Sequence, residues 1–210
     1  MRGFALGFLL AGLAACSSSP SYYPELQQQS ISLSKGDLEA GGVAFITPST
    51  VTGQEQEKQA VALIVAQVLK AERPGLRVVS LAETLGAING SRLADDYRHM
   101  YDEYQQTGLF AADILRRVAG AAGVRYLAQL KLQGFSQGSK GRFGLLGLRI
   151  AETQYGDVRL LLQIWDARRG SIAWEGLQEL RIAVDTTTEQ PITLRELLER
   201  TAHDLIAKLP

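Results

Sequence analysis

The stretch VRYLAQLKLQ, residues 124–133, is where the apolar pattern of this chain changes its period. Before it, apolar residues recur mainly at every third or fourth position, which is typical of helices that bury one face. From Val124 onward apolar residues occupy every second position, which predicts a β-strand with one buried face and one face exposed to water. The buried face carries Val124, Tyr126, Ala128, Leu130 and Leu132, and the exposed face carries Arg125, Gln129, Lys131 and Gln133.

The same alternation returns twice further along the chain, in residues 158–164 and 172–184. The turn-forming sequence DARRGS, residues 166–171, separates these two segments. Half-buried strands joined by turns favour an antiparallel meander over a parallel sheet that is covered on both faces. Between the first and second strands, the sequence predicts a flexible, partly apolar excursion that contains Gly138, Gly141, Gly144 and Gly147.

Upstream of the meander, short apolar runs are followed by segments with helical periodicity. The runs GGVAFITP (41–48) and LRVVSL (76–81) predict buried strands, and a helical pattern follows each of them. Ser80 and Glu83 form a capping box at the start of the second helical segment. The helical segments of this region include residues 54–70, 91–106 and 109–121.

The C-terminal end of the chain predicts one more helix. Thr193 and Glu196 form a second capping box, and the apolar residues after it recur at helical spacing. The predicted fold class is therefore α/β (α+β). It has a mixed sheet with two N-terminal strand–helix units, an antiparallel three-stranded meander and a C-terminal packing helix.

The first residues predict a secretory signal, because the uncharged run GFALGFLLAG (3–12) is shorter than the roughly 20 residues that a spanning helix needs. The following Leu13-Ala14-Ala15-Cys16 resembles the bacterial lipobox, in which the cysteine thiol is acylated and the cysteine becomes the first residue. We therefore predict lipidation at Cys16. Ser17 after the cysteine favours transport to the outer membrane, with the domain facing the periplasm.

The predicted organisation has a signal peptide at 1–15, a lipidated N-terminus and tether at 16–42, and a single periplasmic α/β domain at 43–210. The polar tether is expected to be flexible, although Leu26, Ile31 and Leu33 are available to dock part of it on the domain.

Composition argues against nucleic acid as a partner and against a disulfide framework. Lys and Arg number 22 and Asp and Glu number 22, so no net charge favours nucleic acid as a partner. Cys16 is the single cysteine, so no disulfide framework can form and the domain depends on its core.

One motif suggests an enzyme. The sequence GFSQG at 134–138 matches the G-x-S-x-G pattern of α/β-hydrolases, and Asp166 or Asp185 and then His203 follow Ser136 in the order of that family. The hydrolase motif needs a tight strand-to-helix turn, whereas the glycine-rich residues after Ser136 disfavour a helix. We therefore predict no catalytic residues and no enzyme, and keep a serine hydrolase as the weakest alternative.

A second group suggests a metal. Asp95, Asp96 and His99 lie at helical spacing, but a single helix face supplies too few ligands, so a solvated surface is the better interpretation. Tyr97, Tyr101 and Tyr104 share a helix face, which packing or a partner contact explains. The glycine-rich segment lacks the phosphate-loop pattern. We predict no metal and no cofactor.

The region from Tyr126 to Glu175 resembles the curli secretion channel family of outer-membrane lipoproteins. The features that match are a strand ending in glycine, a glycine-rich hairpin, Thr153-Gln154-Tyr155 before the next strand, and a glycine-containing turn. The resemblance extends over most of residues 43–182. Related periplasmic lipoproteins share this scaffold, including peptidoglycan-synthase activators and TolB-amino-terminal-like domains.

Two departures weigh against a channel of the curli type. That family makes its pore from two membrane hairpins per subunit, whereas this chain has one glycine-rich hairpin segment. Its constriction loop is rich in aromatic residues and asparagine, whereas TPSTVTGQEQEKQ at 47–59 has neither.

The function predicted is that of a non-enzymatic outer-membrane lipoprotein acting in envelope assembly, secretion or transport. Its expected partners are the membrane, through the lipid anchor, and envelope proteins or further copies of itself. Residues 136–153 are the candidate contact with the membrane or with a neighbouring subunit. The alternative is a regulator of a peptidoglycan synthase.

Overall fold

The structure, a computed structural model, describes residues 20–145, 148–186 and 191–210. Within these ranges the fold is mixed α and β, with one seven-stranded sheet and six helices. The strands are β1 (Ser21–Ser30), β2 (Val43–Phe45), β3 (Ser49–Thr50), β4 (Val78–Val79), β5 (Tyr126–Leu145), β6 (Leu148–Asp166) and β7 (Ser171–Thr186). The helices are α1 (Asp37–Gly41), α2 (Glu55–Glu72), α3 (Leu81–Gly90), α4 (Ala94–Thr107), α5 (Ala112–Ala122) and α6 (Leu194–Ile206).

The sheet is antiparallel on one side and parallel on the other. Its strand order is β1-β7-β6-β5-β2-β4, with β3 pairing separately with β5. Neighbouring strands from β1 to β5 are antiparallel, whereas β5, β2 and β4 run parallel to one another. The predicted fold class is confirmed, including both strand–helix units and the three-stranded meander.

One face of the sheet is covered by α2 and α6, which form the larger core. Trp174, Leu160 and Leu205 are almost completely buried there. The predicted capping box at Ser80 and Glu83 is present, with both reciprocal bonds. At the second predicted box, Thr193 Oγ1 accepts a hydrogen bond from the Glu196 N–H, which is one of the two bonds of a box. The caps satisfy amide groups that have no partner within their helices. The C-terminal helix therefore packs on the sheet as predicted.

The second face is covered at one end by α3, α4 and α5, and this changes the expected character of β5. Leu127 and Gln129 belong to the face predicted to be wet, yet both are buried. The exposed face of β5 begins only at Lys131. The predicted exposed face of β5 was therefore wrong for the residues before Lys131, because α3, α4 and α5 fold back over them. The alternation of apolar residues alone cannot indicate this.

The N-terminal polar segment lies on the domain. Residues predicted as a flexible tether form β1, which pairs with β7 from Ser21 to Ser30, and Leu33 and Leu38 are buried beyond it. This corrects the expected tether over residues 21–41 and agrees with the docking alternative. The polar side chains of β1 concealed the strand, because main-chain hydrogen bonds to β7 rather than apolar burial hold it. The signal, Cys16 and the residues up to 19 lie outside the described part of the chain.

The glycine-rich excursion is a β-hairpin. The β5–β6 ladder continues from Tyr126↔Asp166 to Leu145↔Leu148, with shifts of register at three places. Glycine weakens a strand but does not prevent main-chain pairing, and bulges absorb the irregularities. At Gly138 a Cβ would collide with the ring of Tyr155, so glycine lets this tyrosine lie across the neighbouring strand. The expected flexibility was therefore wrong for the described strands.

A buried ion pair closes the opposite end of the hairpin strands. Asp166 is 1% exposed and accepts a hydrogen bond from Arg125 at 2.7 Å and another from the Arg168 N–H at 3.0 Å. Burial raises the pKa of the Asp166 carboxyl, whereas the bonds from Arg125 and Arg168 lower it, and the net shift in pKa is downward. The pair connects the start of β5 to the end of β6.

The packing of Gly176 against α6 can be tested by adding one methyl group. Gly176→Ala is expected to lower the free energy of unfolding by about 1–3 kcal/mol, because overpacking displaces neighbouring side chains. The new Cβ would lie 2.9 Å from Leu205 Cδ2 and closer still to the ring of Trp174. Urea denaturation followed by tryptophan fluorescence measures the change.

The matched control is Gly134→Ala, in the same sheet. Nothing lies within 4 Å of a Cβ at that position, and alanine is the better strand residue. We expect no destabilisation there; equal losses at the two positions would contradict the packing argument.

Removing the charge of Asp166 is expected to destabilise the domain. Asp166→Asn should lower the free energy of unfolding by about 2 kcal/mol, because a charged hydrogen bond to Arg125 is lost in a buried setting. The control Asp95→Asn breaks a highly exposed pair with Arg98, which contributes at most about 1 kcal/mol. Urea denaturation at neutral pH compares the two variants.

The effect of Asp166→Asn is also expected to depend on pH. Because the folded-state pKa of Asp166 is lowered, its stabilising contribution is complete above the unfolded carboxyl pKa of about 3.9. It is lost as the pH falls through the folded-state pKa. The difference between the unchanged chain and Asp166→Asn should therefore shrink on acidification; a difference that grows would contradict the assignment.

Candidate functional site

Ser136 lies inside β5 and not at a turn between a strand and a helix. Its hydroxyl donates a hydrogen bond to the carboxylate of Asp157, its cross-strand partner on β6. The side chain is exposed. The position lacks the geometry of a nucleophile elbow, in which a tight turn presents the serine above the sheet.

The other residues of the hydrolase motif are not assembled around Ser136. Asp166 bonds Arg125 at the far end of the strands, and Asp185 accepts a hydrogen bond from Thr153 at 2.6 Å. The chain has two histidines. His203 lies 3.6 Å from Glu72, and His99 lies 3.2 Å from Glu103. Neither imidazole is therefore placed to activate the serine.

The candidate metal residues lie on the surface of α4, where both aspartates pair with arginines and His99 lies beside Glu103. Asp95 lies 3.1 Å from Arg98, and Asp96 lies 2.7 Å from Arg117 on α5. Within the described ranges, no group of three or more His, Cys, Asp or Glu side chains is placed to hold a metal ion.

The tyrosines of α4 form an internal polar network. The Tyr97 hydroxyl accepts a hydrogen bond from the Thr47 N–H at 2.9 Å. The Tyr101 hydroxyl donates to the Thr47 carbonyl at 2.7 Å and lies 3.1 Å from Gln129 Oε1. Burial raises the pKa of Tyr101 well above its usual value, and the neighbouring Tyr97 adds to the shift. Of the two sequence interpretations, packing and a partner contact, packing therefore explains Tyr97 and Tyr101.

This network lies beside the end of β2. Thr47 follows β2, and Gln129 belongs to β5, which pairs with β2 in parallel. The short strand β3 also pairs with β5, with Ser49 opposite Lys131. The sequence analysis did not identify Thr47 and Gln129, because their role depends on contacts between distant segments.

The sheet face opposite α6 is open over β6, β7 and β1. It carries charged and amide pairs between neighbouring strands, including Arg159 with Glu179 at 2.9 Å and Gln163 with Glu175 at 3.1 Å. A shallow groove of about 310 Å³ crosses it, and Gln27, Gln29, Leu161 and Leu177 are among its lining residues. The surface contains no candidate catalytic group.

The register of the ladder brings two chain segments to the same end of the sheet. Ser21, the first residue of β1, pairs with Ala183, which pairs with Tyr155, which pairs with Gly138. We call this edge the hairpin end, because β5 and β6 continue beyond it. The described part of the chain therefore begins, at Pro20 and Ser21, at the end of the sheet where the hairpin projects. This juxtaposition is the candidate functional site.

Comparison with known proteins yields distant structural similarities only. No family model and no curated protein sequence matches the chain. The PelC dodecamer from Paraburkholderia phytofirmans is 13% identical, with a TM-score of 0.47. The alignment covers 89% of this chain and 97% of the PelC chain. The lipoprotein GNA1162 from Neisseria meningitidis is 14% identical, with a TM-score of 0.37. The alignment covers 80% of this chain and 98% of that lipoprotein.

A PDZ domain protein from Parabacteroides distasonis is also similar, at 10% identity and a TM-score of 0.36, with coverages of 92% and 37%. These three proteins share only a low sequence identity with this chain. Their scores are too low to assign a family or a function, and the resemblance to the curli channel family stays a prediction. No helix in the described ranges has the length and hydropathy needed to cross a bilayer.

The role of Ser136 is tested by its removal. Ser136→Ala should leave the hydrolysis of a p-nitrophenyl ester unchanged, because both histidines lie beside glutamates and not beside Ser136, whose hydroxyl bonds Asp157. A stopped-time assay on the purified protein measures this, with His203→Ala as the matched control. Loss of an ester-hydrolysing activity in both variants would restore the hydrolase alternative.

Proposed function

We propose that this protein is a non-enzymatic lipoprotein of the outer membrane. In this proposal its α+β domain faces the periplasm and serves as a self-associating scaffold in envelope assembly, secretion or transport. The observation that supports it is the position of β1: only residues 17–20 lie between Cys16, the predicted lipidation site, and the first strand of the sheet. An acylated Cys16 would hold the sheet itself close to the bilayer.

The proposed anchor is short and strong. Five extended residues span at most about 18 Å, at roughly 3.3–3.6 Å each. Each buried acyl methylene contributes about 0.8 kcal/mol, and two or more chains give stable attachment. The domain would therefore stay beside its own membrane, which favours a role there over one at a distance.

The β5–β6 hairpin is the part of the domain that would meet the membrane or a neighbour. It continues past Tyr155 through the residues from Leu148 to Gln154. Seven strand residues span about 23 Å, which exceeds the reach of the anchor. The sequence of its outer part, RFGLLGLRI at 142–150, is apolar between two arginines. Residues 136–153 therefore remain the proposed contact segment.

Self-association is supported by the edge of the sheet. β1 is an edge strand of ten residues, and its side chains are exposed apart from the half-buried Leu26. The free main-chain groups of such a strand can pair with another chain. Pro24 within the strand restricts that pairing, because proline has no N–H to donate.

The alternative, a regulator of a peptidoglycan synthase, is weaker on geometric grounds. Such a partner is anchored in the inner membrane, so a regulator in the outer membrane needs a long reach. Because β1 docks on β7, residues 17–20 alone lie between Cys16 and the sheet, in place of the 25 or so residues expected of a flexible tether. The alternative would require the synthase to extend to this domain.

The proposal is tested by a substitution at Cys16 and by crosslinking of the unchanged protein in intact envelopes. Cys16→Ala should move the protein from the membrane fraction to the soluble periplasmic fraction, because the acyl chains are its only proposed anchor. The unchanged protein should incorporate labelled palmitate and give crosslinked multiples of its own mass after affinity purification.

Cys16→Ser is a second variant that also removes the acylated thiol but keeps a side chain of nearly the same size. It should give the same result as Cys16→Ala. Membrane attachment that persists in both variants would contradict the anchor. Crosslinks to a peptidoglycan synthase alone would support the alternative.

A further inference from the structure

The hairpin end of the sheet carries exposed aromatic side chains. Tyr23 is 65% exposed, Tyr22 is 42% exposed and Tyr155 is 38% exposed. Tyr155 lies on the same row of the ladder as Ser21, and the other two tyrosines follow within two residues along β1. Tyr23 and Tyr155 lie on the open face of the sheet, whereas Tyr22 lies on the other face, beside α6. They come from strands that are distant in sequence, so the fold alone groups them.

Each of these tyrosines lies beside a basic side chain. The Arg200 guanidinium lies 4.9 Å from the ring centre of Tyr22, and Lys140 Nζ lies 5.9 Å from that of Tyr155. Tyr23 is paired across the ladder with Arg181 of β7. The same surface is not uniformly basic, because Glu196 and Glu199 share a groove with Tyr22 and Arg200.

Connectivity determines what this surface would face. The chain leaves β1 at Ser21, next to Tyr22 and Tyr23, and reaches the predicted lipidation site after residues 16–20. An extended segment of this length spans at most about 18 Å. With its acyl chains in the bilayer, the anchor would bring the hairpin end, rather than the opposite end, against the lipid surface.

We propose that Tyr22, Tyr23 and Tyr155, with their neighbouring basic residues, form a contact surface for phospholipid headgroups. The domain then stands on the bilayer at its hairpin end, where the β5–β6 strands that continue past Tyr155 extend into it, and the rest of the sheet is directed away. Tyrosine suits this position, because its ring enters the apolar boundary while its hydroxyl stays hydrated. Lysine and arginine beside the rings attract anionic phosphates. This inference rests on the lipid anchor of the proposed function.

The test uses the full-length acylated protein reconstituted in vesicles of phosphatidylethanolamine and phosphatidylglycerol. Acylation occupies Cys16, so a cysteine introduced elsewhere is the one reactive thiol of the chain. Tyr23→Cys and Tyr155→Cys carry a bimane label at the hairpin end. The matched control is Ser171→Cys, an exposed position at the other end of β7. Twelve strand residues, about 40 Å, separate it from the row of Tyr155.

Doxyl-labelled phospholipid in the same vesicles should quench the labels at positions 23 and 155 several-fold more than the label at position 171. Equal quenching at all three positions, or stronger quenching at 171, would overturn the orientation. Labels at 23 and 155 that become inaccessible to water without quenching by lipid would indicate a neighbouring copy, and would also overturn it.

Flotation of the same vesicles separates this inference from the proposed function. If the protein floats with lipid but shows no preferential quenching, the anchor is supported and the proposed contact surface is contradicted. Protein that does not float contradicts the anchor itself. Circular dichroism of each labelled variant verifies that the substituted domain is folded.

Discussion

The register of one antiparallel ladder determines the arrangement of this protein. β1, β7, β6 and β5 pair in that order, and main-chain hydrogen bonds fix which residues lie on each row. A shift of one residue would turn every side chain of a strand to the opposite face. The core under α2 and α6, the open polar face and the grouping at the hairpin end all depend on this register.

Side-chain patterns predicted the parts of the fold that apolar burial specifies. The alternation in residues 158–164 and 172–184 identified strands because each buries one face, and Ser80 and Glu83 identified a helix start because a cap needs those side chains. β1 escaped detection, since its polar side chains contribute little to the strand and its bonds are made by the backbone. The burial of Gln129 escaped for a different reason, because it depends on where α4 folds.

The candidate site was still harder to infer from the sequence. Ser136, Asp166 and His203 follow the order of a hydrolase triad, yet chain order carries no information on distance. Each bonds a different partner: Asp157, Arg125 and Glu72. The grouping of Tyr22 with Tyr155 has no local signal at all, since more than a hundred residues separate them and only the ladder register brings them to one end.

The pairing of β1 with β7 also has a consequence for the order in which the domain forms. β1 is the first of the described strands along the chain, whereas its partner β7 is the last. The β5–β6 hairpin and the β6–β7 hairpin close over short loops, whereas β1 must close a loop of some 140 residues, which is entropically slower. Until it does so, the edge of β7 is open to strands of other chains. Docking of β1 therefore protects the main-chain groups of β7 from pairing with other chains.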